Sequence, residues 1–289
     1  MASTRDIRRR IKSVKNTAQI TKAMQMVAAS KMRKAQQAVL AGVPYAELMN
    51  KMLVSLRGRV ETDIHPLLLE REEGPELVLL LSTDKGLCGA LNTNLLREAS
   101  HLDSSKTVFV STGRKGTQFL ARMKWKMLAD FDLPDSPSFL NAKVVSGFCM
   151  DQYLSGAVSK VSVLYPKFVS TLVQVPTKVQ ILPISPASVL GDDSAFSSEE
   201  SEANLEYIFE PDAQEVLDSV LPYYVHFQIY QLVLNARASE QSSRMVAMKN
   251  ATDNAKSLVK DLTLEYNKIR QAGITSELLE ITTAQMALQ

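Results

Sequence analysis

The sequence predicts an α/β architecture in which a long antiparallel coiled coil, made from the N- and C-terminal helices, carries a small central α/β domain. Three observations lead there. Nine of the eleven prolines fall between Pro66 and Pro211, and the 67 residues after Pro222 hold no proline and one glycine, Gly273. A helix over residues 223–286 would run roughly 96 Å, whereas a compact chain of this length has a radius of gyration of about 19 Å and a diameter near 50 Å. Such a helix must leave its own domain. Between the two ends, short β-rich runs alternate with helical stretches.

Taken in order, the N-terminal helix is expected within residues 1–60. Ile7, Ile11, Val14 and Ala18 step 4-3-4, and Ile20, Met24, Val27 and Met32 continue the stripe. Pro44 is expected to kink or interrupt the helix near Gly42. The α/β domain covers about 75–190, with strands at Leu77–Ser82 and Thr107–Thr112, each followed by a glycine-containing turn and a helical segment. Further strands are expected at Lys160–Leu164, Val169–Val175 and Val179–Leu182, the last two separated by a turn at Pro176. Residues 191–211 read as an acidic linker, and 212–289 as the C-terminal helix of the shaft. Its stripe runs through Val225, Ile229, Leu232 and Val233, thins to Met245 and Met248, and resumes at Leu258, Leu262, Tyr266 and Ile269, then Ile274, Leu278 and Ile281.

The net charge of +2 conceals an asymmetry. Residues 1–40 carry ten Lys/Arg against one acid, Asp6, so the remaining chain is strongly acidic, and eight acids without a base lie between Asp192 and Asp212. A basic end and an acidic stretch point to partner surfaces. The longest strictly apolar run, Leu77–Leu81, is far short of the ~20 residues that span a bilayer. Two cysteines, Cys88 and Cys149, and three scattered histidines, His65, His101 and His226, provide neither a disulfide scaffold nor a metal-ligand spacing. No metal and no cofactor are expected.

Asp84-Lys85-Gly86-Leu87-Cys88-Gly89 and Gly113-Arg114-Lys115-Gly116 invite a phosphate-loop reading. Neither fits GxGxxG, and GxxxxGK[ST] does not occur in the chain. Tight strand-to-helix turns explain both. Cys88 has no histidine near it in sequence, so a buried thiol is the simpler reading than a nucleophile. The basic N-terminus is compatible with a mitochondrial presequence, a nucleic-acid contact lacking aromatic stacking, or a helix facing an acidic protein surface.

Four strings choose among these. Arg8–Gln36, Ser82–Leu95 (STDKGLCGALNTNL), Arg244–Ala255 (RMVAMKNATDNA) and Tyr266–Ile281 (YNKIRQAGITSELLEI) resemble the gamma-subunit family of F-type ATP synthases in matched order and spacing. Ile274, Thr275, Glu277, Glu280 and Ile281 carry the most specific part, joined by Ala287 and Leu288. Ala284-Gln285 stands where the family usually has Gly-Ala, which implies wider packing there.

The resemblance implies the rotating central stalk, a non-catalytic subunit that couples ion flow, of hydrogen ions or sodium, through the membrane rotor ring to ATP synthesis or hydrolysis. Its implied partners are the alpha and beta subunits, the epsilon subunit and the membrane c-subunit ring, with no nucleic acid and no direct bilayer insertion. Arg270, Gln271 and Thr275 then match the contact with a catch loop of beta. Met24, Val27, Met245, Ile274, Glu277 and Glu280 lie on the shaft inside the hexamer. Arg8, Arg9, Lys12, Lys31 and Arg33 form a basic face matched to acidic lever loops of beta. The same resemblance places the basic segment in the mature helix and implies a bacterial protein, peripheral on the cytoplasmic face of the cell membrane.

Overall fold

A computed structural model of the chain describes residues 4–57, 65–71, 73–184 and 212–287. The expected acidic linker, 191–211, lies outside the described residues. The order of elements is α1 (Thr4–Arg57), β1 (Glu76–Leu81), α2 (Leu91–Ser100), β2 (Thr107–Thr112), α3 (Arg114–Met123), β3 (Met127–Phe131), α4 (Phe139–Leu154), β4 (Lys160–Phe168), β5 (Gln174–Leu182) and α5 (Ala213–Ala287). The chain packs as two compact units: Met1–Ala29 with Arg244–Gln289, and Ser30–Ser243. Both α1 and α5 therefore contribute to both units. The sequence, in contrast, suggested divisions at the edges of the α/β segment.

In the larger unit the five strands are ordered β3-β2-β1-β4-β5. β1 pairs in parallel with β2 and β4, β2 in parallel with β3, and only β4 and β5 run antiparallel. The unbroken apolar run of β1 follows from its central place. Leu77, Leu79 and Leu81 enter a core with α4 and α5, while Val78 and Leu80 face the opposite way into a core with Leu95, Phe109 and Leu120. A strand buried on both faces needs apolar residues at every position. A capping box at Ser138 and Asn141 starts α4. β3 has no counterpart among the expected strands: it is a five-residue edge strand with alternating partial burial, a weak signal.

Three expectations are corrected here. First, α1 continues through Gly42 and Pro44 to Arg57. Tyr45 packs on Phe227, with ring centroids 4.8 Å apart, and Met49 is buried. Pro222 likewise sits inside α5, between the buried Leu221 and Val225. A proline within a helix costs about 3 kcal/mol, whereas each buried Leu or Val returns about 1.5–3 kcal/mol. Packing wins at both sites. Second, residues 160–182 form two strands rather than three. The turn lies at Val169–Val173, where the Ser170 hydroxyl oxygen accepts from Val173 N at 3.1 Å. Pro176 stands inside β5, opposite Pro166. β5 is an edge strand, and β1 pairs with β4 only as far as Leu164, so neither proline removes a bond to a third strand. Third, Ile20, Val27 and Leu258 are 60%, 55% and 44% exposed. They lie beside the packed stripe, for a reason that appears when the smaller unit is built up.

Candidate partner surfaces

In the smaller unit the partly or fully buried positions of α1 include Ile7, Ile11, Val14, Ala18, Thr21, Gln25 and Ala28, with Met24 and Ala29 beside them. Those of α5 include Met245, Met248, Thr252, Ala255, Val259, Leu262, Tyr266 and Ile269. Both series step strictly by fours and threes, the 3.5-residue period of a coiled-coil seam. The expected stripe slipped by one residue at Ile20, Val27 and Leu258 because those are the larger apolar residues. The period instead selects Thr21, Ala28 and Val259. Small seam residues suit close helix approach, and Thr21 Oγ1 and Thr252 Oγ1 share a hydrogen bond of 2.7 Å in the buried seam.

The same period carried beyond Ile269 falls on Gly273, Ser276, Glu280 and Thr283, which are all exposed. Apolar residues persist but move to another face: Ile274, Leu278 and Ile281 are 49%, 58% and 62% exposed. Arg8 of α1 lies over the Tyr266 ring, 5.4 Å from its centroid, and bonds its hydroxyl. The first described residue of α1, Thr4, is one turn further. From Arg270 to Met286 every residue of α5 is exposed.

The expected site residues distribute accordingly. Arg270, Gln271 and Thr275 are exposed on successive turns, with the Thr275 hydroxyl donating to Gln271 O at 3.0 Å. Among the described residues Arg270 has no ion-pair partner. Glu277 and Glu280 are exposed, and Ser276 donates to Glu280 at 3.4 Å. Met24 is a half-buried flank of the seam, and Met245 a half-buried member of it. Arg9, Lys12 and Arg33 are exposed. Lys31 is different: its ammonium meets Asp135 at 2.6 Å within the larger unit. That hydrogen bond, more than the accompanying charge attraction, holds the Asp135 carboxyl below its usual range.

At the C-terminal ends of the parallel strands, the glycine-containing turns are packing devices. Gly113 has φ +91°, and a Cβ there would stand 2.3 Å from Ser82 O. A Cβ at Gly116 would meet Ser82 Oγ at 2.7 Å, where Gly116 N now donates at 2.8 Å. Ser82 thus packs into this turn, and the two glycines are what let it approach. A cavity of about 10 Å³ remains beside Leu133, Pro166, Arg237 and Glu240, room for about one water. Cys88 is 2% exposed and accepts from Asn92 Nδ2 at 3.3 Å. Burial alone pushes the Cys149 thiol up to about 12. His226, buried against Ser146 Oγ at 2.6 Å, is held below the usual histidine range by burial and then by Lys143. Sequence reading missed the Arg237–Glu240 pair, buried at 2.8 Å, because its only local signal is an i,i+3 spacing.

The family model described as ATP synthase matches residues 3–288. The ATP synthase gamma chain of Opitutus terrae is 52% identical over 99% of each chain. This chain belongs to the ATP synthase gamma-chain family. The gamma chain of Methylacidiphilum infernorum is 50% identical over the full length of both. Among solved structures, a chain of the Euglena gracilis mitochondrial ATP synthase (OSCP/F1/c-ring, rotational state 3) matches with a TM-score of 0.67 at 20% identity, over 99% of this chain and 94% of that one. A chain of the Tetrahymena thermophila central stalk and c-ring matches with a TM-score of 0.59 at 24% identity, over 80% of this chain and 99% of that one. At those identities the likeness shows a shared fold. Both gamma-chain relatives are matched over 99% or more of their own length, and none of the described helices is long and apolar enough to cross a membrane.

Proposed function

We infer that this chain is the central-stalk rotor subunit of an F-type ATP synthase, itself without catalytic machinery, coupling ion flow in the membrane ring to ATP synthesis or hydrolysis in the alpha/beta hexamer. The observation that carries the reading is the last four turns of α5, where the seam turns polar and Ile274, Leu278 and Ile281 form an exposed stripe. A helix fully exposed over residues 270–286 that is still apolar on one face is built for a partner that encloses it. The family membership supplies that partner, a hexamer of alpha and beta. The α/β unit is then the foot that meets epsilon and the c-ring, at the cytoplasmic face of a bacterial membrane.

Within this reading Arg270, Gln271 and Thr275 meet the beta catch loop, and Met24, Val27, Met245, Glu277 and Glu280 belong to the shaft surface within the hexamer. The basic face comprises Arg8, Arg9, Lys12 and Arg33, with Lys31 committed instead to Asp135. A guanidinium as exposed as Arg270, with no ion-pair partner among the described residues, is available for bidentate pairing with a carboxylate. The test is affinity purification of the tagged chain from cells expressing its operon. Recovery of two larger ATP-binding subunits in equal, threefold excess over this chain supports the reading. Recovery of the chain alone under conditions that preserve the complex of a known gamma chain would overturn it.

A further inference from the structure

A helix lying on a surface buries about three or four residues in every two turns. From Ala236 to Ser242 every residue of α5 is 9% exposed or less. Seven successive residues turn through roughly 700°, so the helix is enclosed on all sides for nearly two turns. Four side chains in and beside this stretch hold main-chain atoms of the surrounding loops. Asn235 Oδ1 accepts from Phe168 N at 2.7 Å, and Arg237 donates to Leu133 O at 2.8 Å. Ser242 donates to Thr171 O at 2.9 Å, and Ser243 to Cys88 O at 2.6 Å. Arg237 also pairs with Glu240 at 2.8 Å and faces Asp84 at 3.7 Å.

Taking Asn235 as zero, Arg237, Ser242 and Ser243 leave the helix at roughly 200°, 340° and 80° about its axis. Their partners belong to three separate loops, those following β1 and β3 and the β4–β5 hairpin. Apolar packing resists separation yet permits sliding. Hydrogen bonds leaving at several azimuths to fixed main-chain atoms resist rotation of the helix about its own axis, since a turn in either sense bends or stretches them away from their favoured geometry. Lys31 ties α1 to the loop after β3 through Asp135, the loop that Arg237 also holds.

We propose that this collar is the torsional lock of the rotor, the joint that keys α5 to the α/β unit against twisting, with Arg237 as its central positioning residue. The proposal rests on the rotor reading. It is tested in the assembled complex, with the hexamer fixed to a surface, a bead on the α/β unit, and the angular variance recorded with rotation stalled. Arg237→Met, and separately Ser242→Ala with Ser243→Ala, should raise the variance about twofold, because each removes a large share of parallel restraints. Arg237→Lys should restore part of the stiffness, and Lys249→Ala, on an exposed position, should change nothing. Assembled complexes of both collar variants with the parental variance would overturn the proposal. Should Arg237→Met fail to assemble, the serine pair, which leaves the ion pair intact, decides alone. Failure of the unaltered chain to assemble or rotate would instead strike the rotor reading.

Discussion

Arg270 and Lys31 are both cations on long helices, and their surroundings set them to different tasks. Lys31 is taken by Asp135, with side chains 43% and 53% exposed, and an ion pair that open to water is worth about 0–1 kcal/mol. Arg270 stands in the open with no ion-pair partner among the described residues, and a catch loop closing on it would turn it into a desolvated pair, whose truncation costs about 3–5 kcal/mol. In the assembled complex, Arg270→Ala should therefore slow ATP turnover by about an order of magnitude or more, and Arg270→Lys should recover part. Lys31→Ala and Lys268→Ala should stay close to the parental rate. Steady-state ATP hydrolysis with assembly verified for each variant reads this out, and equal rates for Arg270→Ala and Lys268→Ala would remove the catch assignment. The catch assignment proposed for Arg270 rests on the family resemblance, since composition and spacing see only a polar residue on a helix. The commitment of Lys31 is not legible at all, because its partner lies 104 residues away.

Among the elements, β1 and β2 were legible almost to the residue: their apolar runs are short, bounded by polar turns, and buried on both faces. Pro176 misled because proline reads as a turn until the strand is known to lie at an edge, and edge position is a property of topology. The seam misled for a different reason. Ranking residues by apolarity picks Leu258, whereas the strict heptad picks Val259, and the helix obeys the period because the partner helix lies along one line. Two leucines one turn apart make this measurable. Leu262→Ala, at 5% exposure, should lower stability by about 2–4 kcal/mol, and Leu258→Ala, at 44%, by less than about 1 kcal/mol. Urea unfolding of the purified chain followed by circular dichroism compares them, and equal losses would place Leu258 back in the seam.

For the molecule as a whole, the pairing of the chain ends and the central α/β unit were both readable from where the prolines fall. The enclosure of Ala236–Ser242 was not, because alanines and serines carry no hydrophobic signal and the loops around them are distant in sequence. Protection in amide exchange should follow this division of labour. β1, β2 and residues 236–242 should exchange slowest, and residues 270–286 fastest within α5. Uniform protection along α5 would contradict the exposure of its last turns. The bonded threonines of the smaller unit have one more consequence. If α1 slid along α5 by a heptad, Thr21 would leave Thr252, whose hydroxyl would keep its bond to Met248 O at 2.8 Å but face Val14 or Ala28, and the bond between the helices, worth about 0.5–1.5 kcal/mol, would be lost. Slid toward the C-terminus, Ile7 would leave Tyr266 for the polar stretch at Gly273 and Ser276. The two ends of the chain thus measure each other like a ruler against a peg, and their register is set before any partner arrives.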